Sequence, residues 1–178
     1  MSAAHDHPSR ARPLPQAWTA LAGRDAYLAE NGFDVAGYDA AYGEYPLLGM
    51  RIPIPNSKAR SRAIRFHDLH HVATGYGTDN VGEGEISAWE LRRGLRPLGL
   101  YVGAIVLGGT LLGLLVAPRR TLRAYRASGS GTSLFHGEIP YETLLTLSIA
   151  ELRAALGVPD EGLASEPRRV HALPRQLA

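Results

Sequence analysis

The stretch "FHDLHHVATGYGTDNVGEGE", residues 66 to 85, gathers side chains that bind divalent cations. On a helix His67 and His71 are four positions apart and share a face, and Asp68, three before His71, borders the same groove. Gly75 stops such a helix, and an antiparallel return through "GYGTDNVG" brings Glu83 back over its last turn as a fourth donor. Two imidazoles and two carboxylates suit a divalent ion, with a position left open if one carboxylate binds weakly. A solvated helix face carries the same residue types, so a bare H-D-x-x-H leaves both readings standing. His70 is read as exposed, with a supporting role behind the ligands as the alternative, and Glu85 as surface. Glu90, two turns beyond Glu83 and about 10 Å along a helix, is too far to bind the same ion. It is either a partner of the ligands or an exposed glutamate.

The chain has 178 residues and no cysteine. That length predicts one domain able to bury a core without a structural metal, and the absent thiolates leave nitrogen and oxygen donors. Zinc, iron(II), manganese and magnesium are the candidate ions. The net charge of +2, with Lys58 the only lysine, shows no basic stripe interleaved with aromatics, so no nucleic-acid partner is expected.

Hydrophobic periodicity and caps predict a mainly α, single-domain helical fold. Residues 1–16 are expected as a disordered leader, 17–157 as the helical domain and 158–178 as a flexible tail. A first helix closes at Asn31-Gly32, and a turn-rich connection with Pro46, Pro53 and Pro55 follows. A second helix ends near Gly75, and Thr78 or Asp79 caps a third that runs to about Arg93. Ser148 and Glu151 fit a capping box before a short helix stopped by Gly157. No alternating run is long enough for a substantial sheet.

"HDLHH", eleven residues, then Glu83 resembles the H-D-x-x-H-x(11)-E signature of the coenzyme Q biosynthesis protein four family. "GEGEISAWE" is similar to that family's segment from the ligand glutamate to a Trp-containing helix ending in Glu, and "IPYETLLTLSIAELRAALGV" looks like its closing segment. The resemblance covers about residues 20 to 157 and is most specific at the motif. It implies that His67, Asp68, His71 and Glu83 are the metal ligands and the catalytic set, with zinc as the first choice of ion and iron(II) or manganese as others. It also implies a metal site between two helices, beside a hydrophobic channel for a prenylated aromatic lipid. The leader lacks the family's mitochondrial targeting sequence, which points to a bacterial member in the cytoplasm, peripheral to the inner face of the cytoplasmic membrane. The family has been assigned oxidative decarboxylation of a prenylated hydroxybenzoate at the first ring carbon, and also the organising of other ubiquinone-biosynthesis enzymes on a lipid-binding scaffold. Oligomeric state stays open, a homo-oligomer included.

Leu98 to Ala117, uncharged throughout, would span about 30 Å as a helix and so matches a bilayer core. Arginines flank it on both sides, Arg92, Arg93 and Arg96 before and Arg119, Arg120, Arg123 and Arg126 after, so either orientation of a span translocates a basic flank. A buried or membrane-facing element is the main reading. Gly108-Gly109 could split it, and Gly99, Gly103, Gly109 and Gly113 allow either close helix packing or room for a slender ligand. A metal-dependent hydrolase is disfavoured. Zinc peptidases place Glu where this chain has Asp68, and phosphohydrolases need further ligands, of which only His136, expected on the surface, lies outside the terminal regions.

Overall fold

The computed structural model describes residues 14–47 and 50–164. Most of the expected leader and tail lies outside these residues. The fold is mainly helical, as the periodicity requires. Helix α1 (Ala20–Glu30) opens on Thr19, whose hydroxyl accepts from the Ala22 N–H, and ends at Asn31. A hairpin follows, β1 (Tyr42–Leu47) paired antiparallel with β2 (Met50–Pro55). Then come α2 (Lys58–Thr74), α3 (Asn80–Arg93), α4 (Gly99–Val116), α5 (Pro118–Ala127), α6 (Tyr141–Thr146) and α7 (Ile149–Leu156).

The hairpin corrects the expectation of a connection made of turns. Its prolines read as breakers, yet in a two-stranded ribbon each strand keeps one free edge, where a missing N–H costs no ladder bond. Pro46 pairs with Arg51, and Pro53 with Glu44.

α2 is the central element. Its buried face, with Leu69, Val72 and Ala73, packs against Tyr27 and Leu28 of α1, Ile86 and Trp89 of α3, and Ile149 and Leu152 of α7. The ends of α1 and α7 are stitched together: the Ala20 N–H donates to the Leu147 carbonyl at 2.7 Å and the Ile149 N–H to the Trp18 carbonyl at 2.8 Å. The Ser148–Glu151 capping box forms as read. Leu14 and Val158, assigned to leader and tail, are buried, and the Leu163 N–H reaches the Thr74 carbonyl at 2.7 Å. The helical core thus runs a few residues past both boundaries.

The apolar segment is one unbroken helix, so Gly108-Gly109 does not split it. The 21 residues from Arg96 to Val116 contain an 18-residue stretch of mean hydropathy 2.1, long and apolar enough to cross a membrane, yet only 28% of that stretch is buried. Val102, Val106, Gly109 and Gly113 form the buried stripe, at helical spacing, against α3 and α5. Leu100 and Leu115 on other faces are 95% and 82% exposed. The four glycines divide by role. A methyl group on Gly84 of α3 would sit 2.4 Å from the Gly113 Cα, and one on Gly109 would sit 2.4 Å from the Ser87 hydroxyl, so these positions set the α3–α4 approach. Gly99 and Gly103 face open space.

Candidate metal centre

The two helices that carry the donors are fixed at their facing ends by local sequence. Gly75, at φ 80°, closes α2 in the left-handed region that glycine adopts without strain. Asp79 opens α3 by accepting from the Gly82 N–H at 2.8 Å. Gly82 lies so close to the Gly77 carbonyl that a methyl group there would come within 2.1 Å of its oxygen, so the return is tight. Glu83, in the first turn of α3, therefore stands over the last turns of α2 as the spacing predicts.

His67, His71 and Glu83 offer donor atoms that all lie within 4.8 Å of one another. The two histidine Nε2 atoms are 3.1 Å apart, and Glu83 lies 3.5 Å from each, through Oε2 to His67 and Oε1 to His71. Their tautomers follow from the opposite ring atoms. His71 Nδ1 lies 3.0 Å from the Tyr76 carbonyl and His67 Nδ1 lies 2.8 Å from Glu90 Oε1, so both Nδ1 atoms donate. Both Nε2 atoms are then left as lone pairs, facing each other and a carboxylate. Three acceptors so placed require a positive charge among them. No family model, curated protein or solved structure matches this chain. The centre therefore stands on its own geometry.

A tetrahedral ion with bonds of about 2.0–2.1 Å holds its donors about 3.3 Å apart, which the three spacings bracket. The trio could hold a divalent metal, with a further position open. His67 and Glu83 side chains keep 22% and 14% exposure while His71 has none, so the open side faces away from the core. Without a metal, the charge is a proton. Burial alone would lower the His67 pKa, but the Glu90 and Glu83 carboxylates outweigh it and raise it well above the ordinary value. Burial would likewise raise Glu83, but His67 and His71 hold it at about 2.

Asp68, the fourth implied ligand, is placed differently. Its Oδ2 accepts from the Tyr38 hydroxyl at 2.6 Å, and it stands outside the converging trio. Burial raises its pKa against the opposing pull of His67 and of the Tyr38 hydroxyl. Tyr38 left no signal in the sequence, because the contact joins residues thirty apart.

His70 and Glu85 correct the sequence reading: both are buried, at 0% and 2% exposure. The Leu134 N–H donates to His70 Nε2 at 3.0 Å, so His70 Nδ1 donates to Glu90 Oε1 at 2.8 Å. Burial lowers the His70 pKa and keeps it neutral. Glu85 takes the Arg120 guanidinium at 2.8 and 3.0 Å, tying α3 to α5. Of the two readings of Glu90, the structure takes the partner role. It is fully buried, and one oxygen accepts from both His67 and His70, which with burial opposing holds it ionised at about 2. Its spacing from Glu83, seven residues along one helix face, was the available signal. His136 is exposed as expected.

A cavity of about 340 Å³ adjoins the centre. His67, Asp68, Glu83 and Glu90 form its polar end, and Val102, Ile105, Val106 and Phe135 are among its apolar walls. Sites that bind small molecules combine these features: an apolar cleft with a few convergent polar groups.

Proposed function

We propose that this protein is a metal-dependent member of the ubiquinone-biosynthesis family that its signature resembles, acting on a prenylated hydroxybenzoate-type lipid by oxidative decarboxylation at the first ring carbon. The observation that carries the metal is the pair of Nε2 lone pairs 3.1 Å apart beside Glu83. His67, His71 and Glu83 would hold the ion, zinc first and iron(II) or manganese otherwise, with Asp68 as the implied fourth ligand. An ion there supplies Lewis-acid polarisation of a phenol or carboxylate oxygen, and iron would add redox capacity that zinc lacks. Glu90 holds the proton on His67 Nδ1 and so keeps Nε2 pointed at the centre. On this reading the ring carboxyl would leave as carbon dioxide, a hydroxyl from water would take its place on that carbon, and dioxygen would accept the two electrons and two protons released, leaving as hydrogen peroxide.

The apolar side of the cavity supports the lipid assignment, because Val102, Ile105 and Val106 bring α4 to the polar end. On this reading the prenyl tail runs along α4 past Gly99 and Gly103, where the helix has open space. The exposed leucines of α4, with Leu122 and Tyr125 of α5, would meet the cytoplasmic membrane surface from the bacterial cytoplasm, beside arginines that favour anionic headgroups. Packing of α4 on the charge-bearing α3 and α5 argues for this peripheral placement over a single span.

A second reading, a non-catalytic lipid-presenting scaffold for the other enzymes of the pathway, draws on the same centre. An ion shared by α2 and α3 would brace the helix pair whether or not it did chemistry. Metal analysis of purified protein, with turnover of a prenylated hydroxybenzoate in wild type and His67→Ala, tests both. Metal unchanged in the variant sinks the centre. Metal bound without turnover leaves the scaffold.

A further inference from the structure

The cavity has a second polar anchor besides the metal centre. Arg60 lies on α2 seven residues before His67 and eleven before His71, so the three share one stripe, with Ile64 between. Arg60 is about 10 Å along the helix axis from His67. Arg60 lines the cavity with His67, Ile64 and Val102.

Its guanidinium is seated but not neutralised. One nitrogen donates to the Asn56 side-chain oxygen, and the Asn56 amide is itself held by the Ala40 carbonyl at 2.9 Å. Gly43 makes room for the group: a methyl there would fall 2.7 Å from Arg60 Nη1. Among the described residues no carboxylate lies within ion-pair distance of Arg60; Asp68 acts on it only through space. Burial depresses its pKa, the mark of a guanidinium that has lost water without gaining a full counter-charge. A half-buried guanidinium held in place on a cavity wall, with donors left over from its bond to Asn56, suits a carboxylate.

We infer that Arg60 binds the ring carboxylate of the ligand while the phenol oxygen faces His67, His71 and Glu83. The inference rests on the proposed function for the ligand class and fixes its orientation. The two ends of a para-hydroxybenzoate, with a metal bond at one and a hydrogen bond at the other, span about 11 Å, close to the rise between Arg60 and His67. Ile64, Val102 and Ile105 line the same cavity and would wall the ring.

The test is equilibrium binding of 3-prenyl-4-hydroxybenzoate and of 2-prenylphenol, which lacks the carboxylate, to the full zinc-loaded chain. Wild type should bind the acid at least about tenfold more tightly than the phenol. Arg60→Gln should erase that preference by weakening the acid alone, with phenol affinity, zinc content and circular dichroism unchanged. Arg60→Lys, which keeps the charge, should restore part of it. A preference that survives in Arg60→Gln, or a wild type that binds the acid no better than the phenol, overturns the assignment. Tight binding of the acid without turnover would sink the decarboxylase reading and leave this one standing.

Discussion

The Glu90 carboxylate receives Nδ1 of both His67 and His70 on a single oxygen, each at 2.8 Å, from a position with no solvent exposure. One buried group thereby fixes two ring orientations, and only one of those rings, that of His67, belongs to the candidate metal centre. His70 is the brace, tied at its far side to the Leu134 amide.

Glu90→Gln is therefore expected to weaken zinc binding by about 10- to 100-fold, the usual effect of losing a partner that orients a ligand histidine. Glu85→Gln is the control, since it breaks another buried pair on the same helix, the one with Arg120. It should lower the melting temperature and leave zinc affinity alone. Competition with a chromophoric chelator reads the first effect and thermal melts the second.

Among the ligands, His67→Ala and His71→Ala should each reduce bound metal to background by elemental analysis. Asp68→Asn should retain more metal than either, because Asp68 is bonded to Tyr38 outside the trio. Equal loss in all three would make Asp68 a full ligand.

The metal-free protein should lose stability at both ends of the pH scale. Glu83 and Glu90 have folded pKa values held at about 2 against an ordinary 4.5, so their contribution is complete above 4.5 and fades as pH falls toward 2. Each shift corresponds to about 3 kcal/mol, and because both glutamates share His67 the pair contributes less than twice that. The His67 pKa is raised, so its contribution is present below 6.5 and is lost as pH climbs through the folded value. Urea midpoints should peak near pH 6.5, because His70, whose folded pKa burial lowers, also withdraws stability as pH falls below its ordinary value. Saturating zinc should lift the alkaline side most, since the ion replaces the proton.

The α3–α4 contact separates two otherwise similar glycines. Gly84→Ala forces a methyl to 2.4 Å from the Gly113 backbone and should cost about 1–3 kcal/mol or more. Gly103→Ala meets nothing within 4 Å and should be neutral or stabilising by up to about 1 kcal/mol, from helix propensity. Denaturant titration of the two variants decides it.

Leu111 and Leu115, 53% and 82% exposed on α4, offer a direct handle on the membrane reading. The double change Leu111→Ser, Leu115→Ser should reduce co-sedimentation with anionic vesicles by at least tenfold, while zinc content stays constant. Unchanged sedimentation would detach this face from lipid.

What the sequence by itself determined was local. Gly75, Asp79 and the Ser148–Glu151 pair wrote helix ends, because capping is a hydrogen bond between near neighbours. The eleven-residue return that sets Glu83 against His67 and His71 was legible for the same reason, being one turn between two helices. Tertiary structure decided the rest. His70 and Glu85 looked like surface because polar residues carry no sign of burial until their partners, Glu90 and Arg120, are brought from other parts of the chain. The same holds for Asp68 and Tyr38, and for Arg60 on the cavity wall. Whether Gly109 and Gly113 pack tightly or leave room, and which leucines of α4 stay uncovered, depended on where α3 and α5 came to lie, because a uniformly apolar helix contains no pattern that selects its buried side.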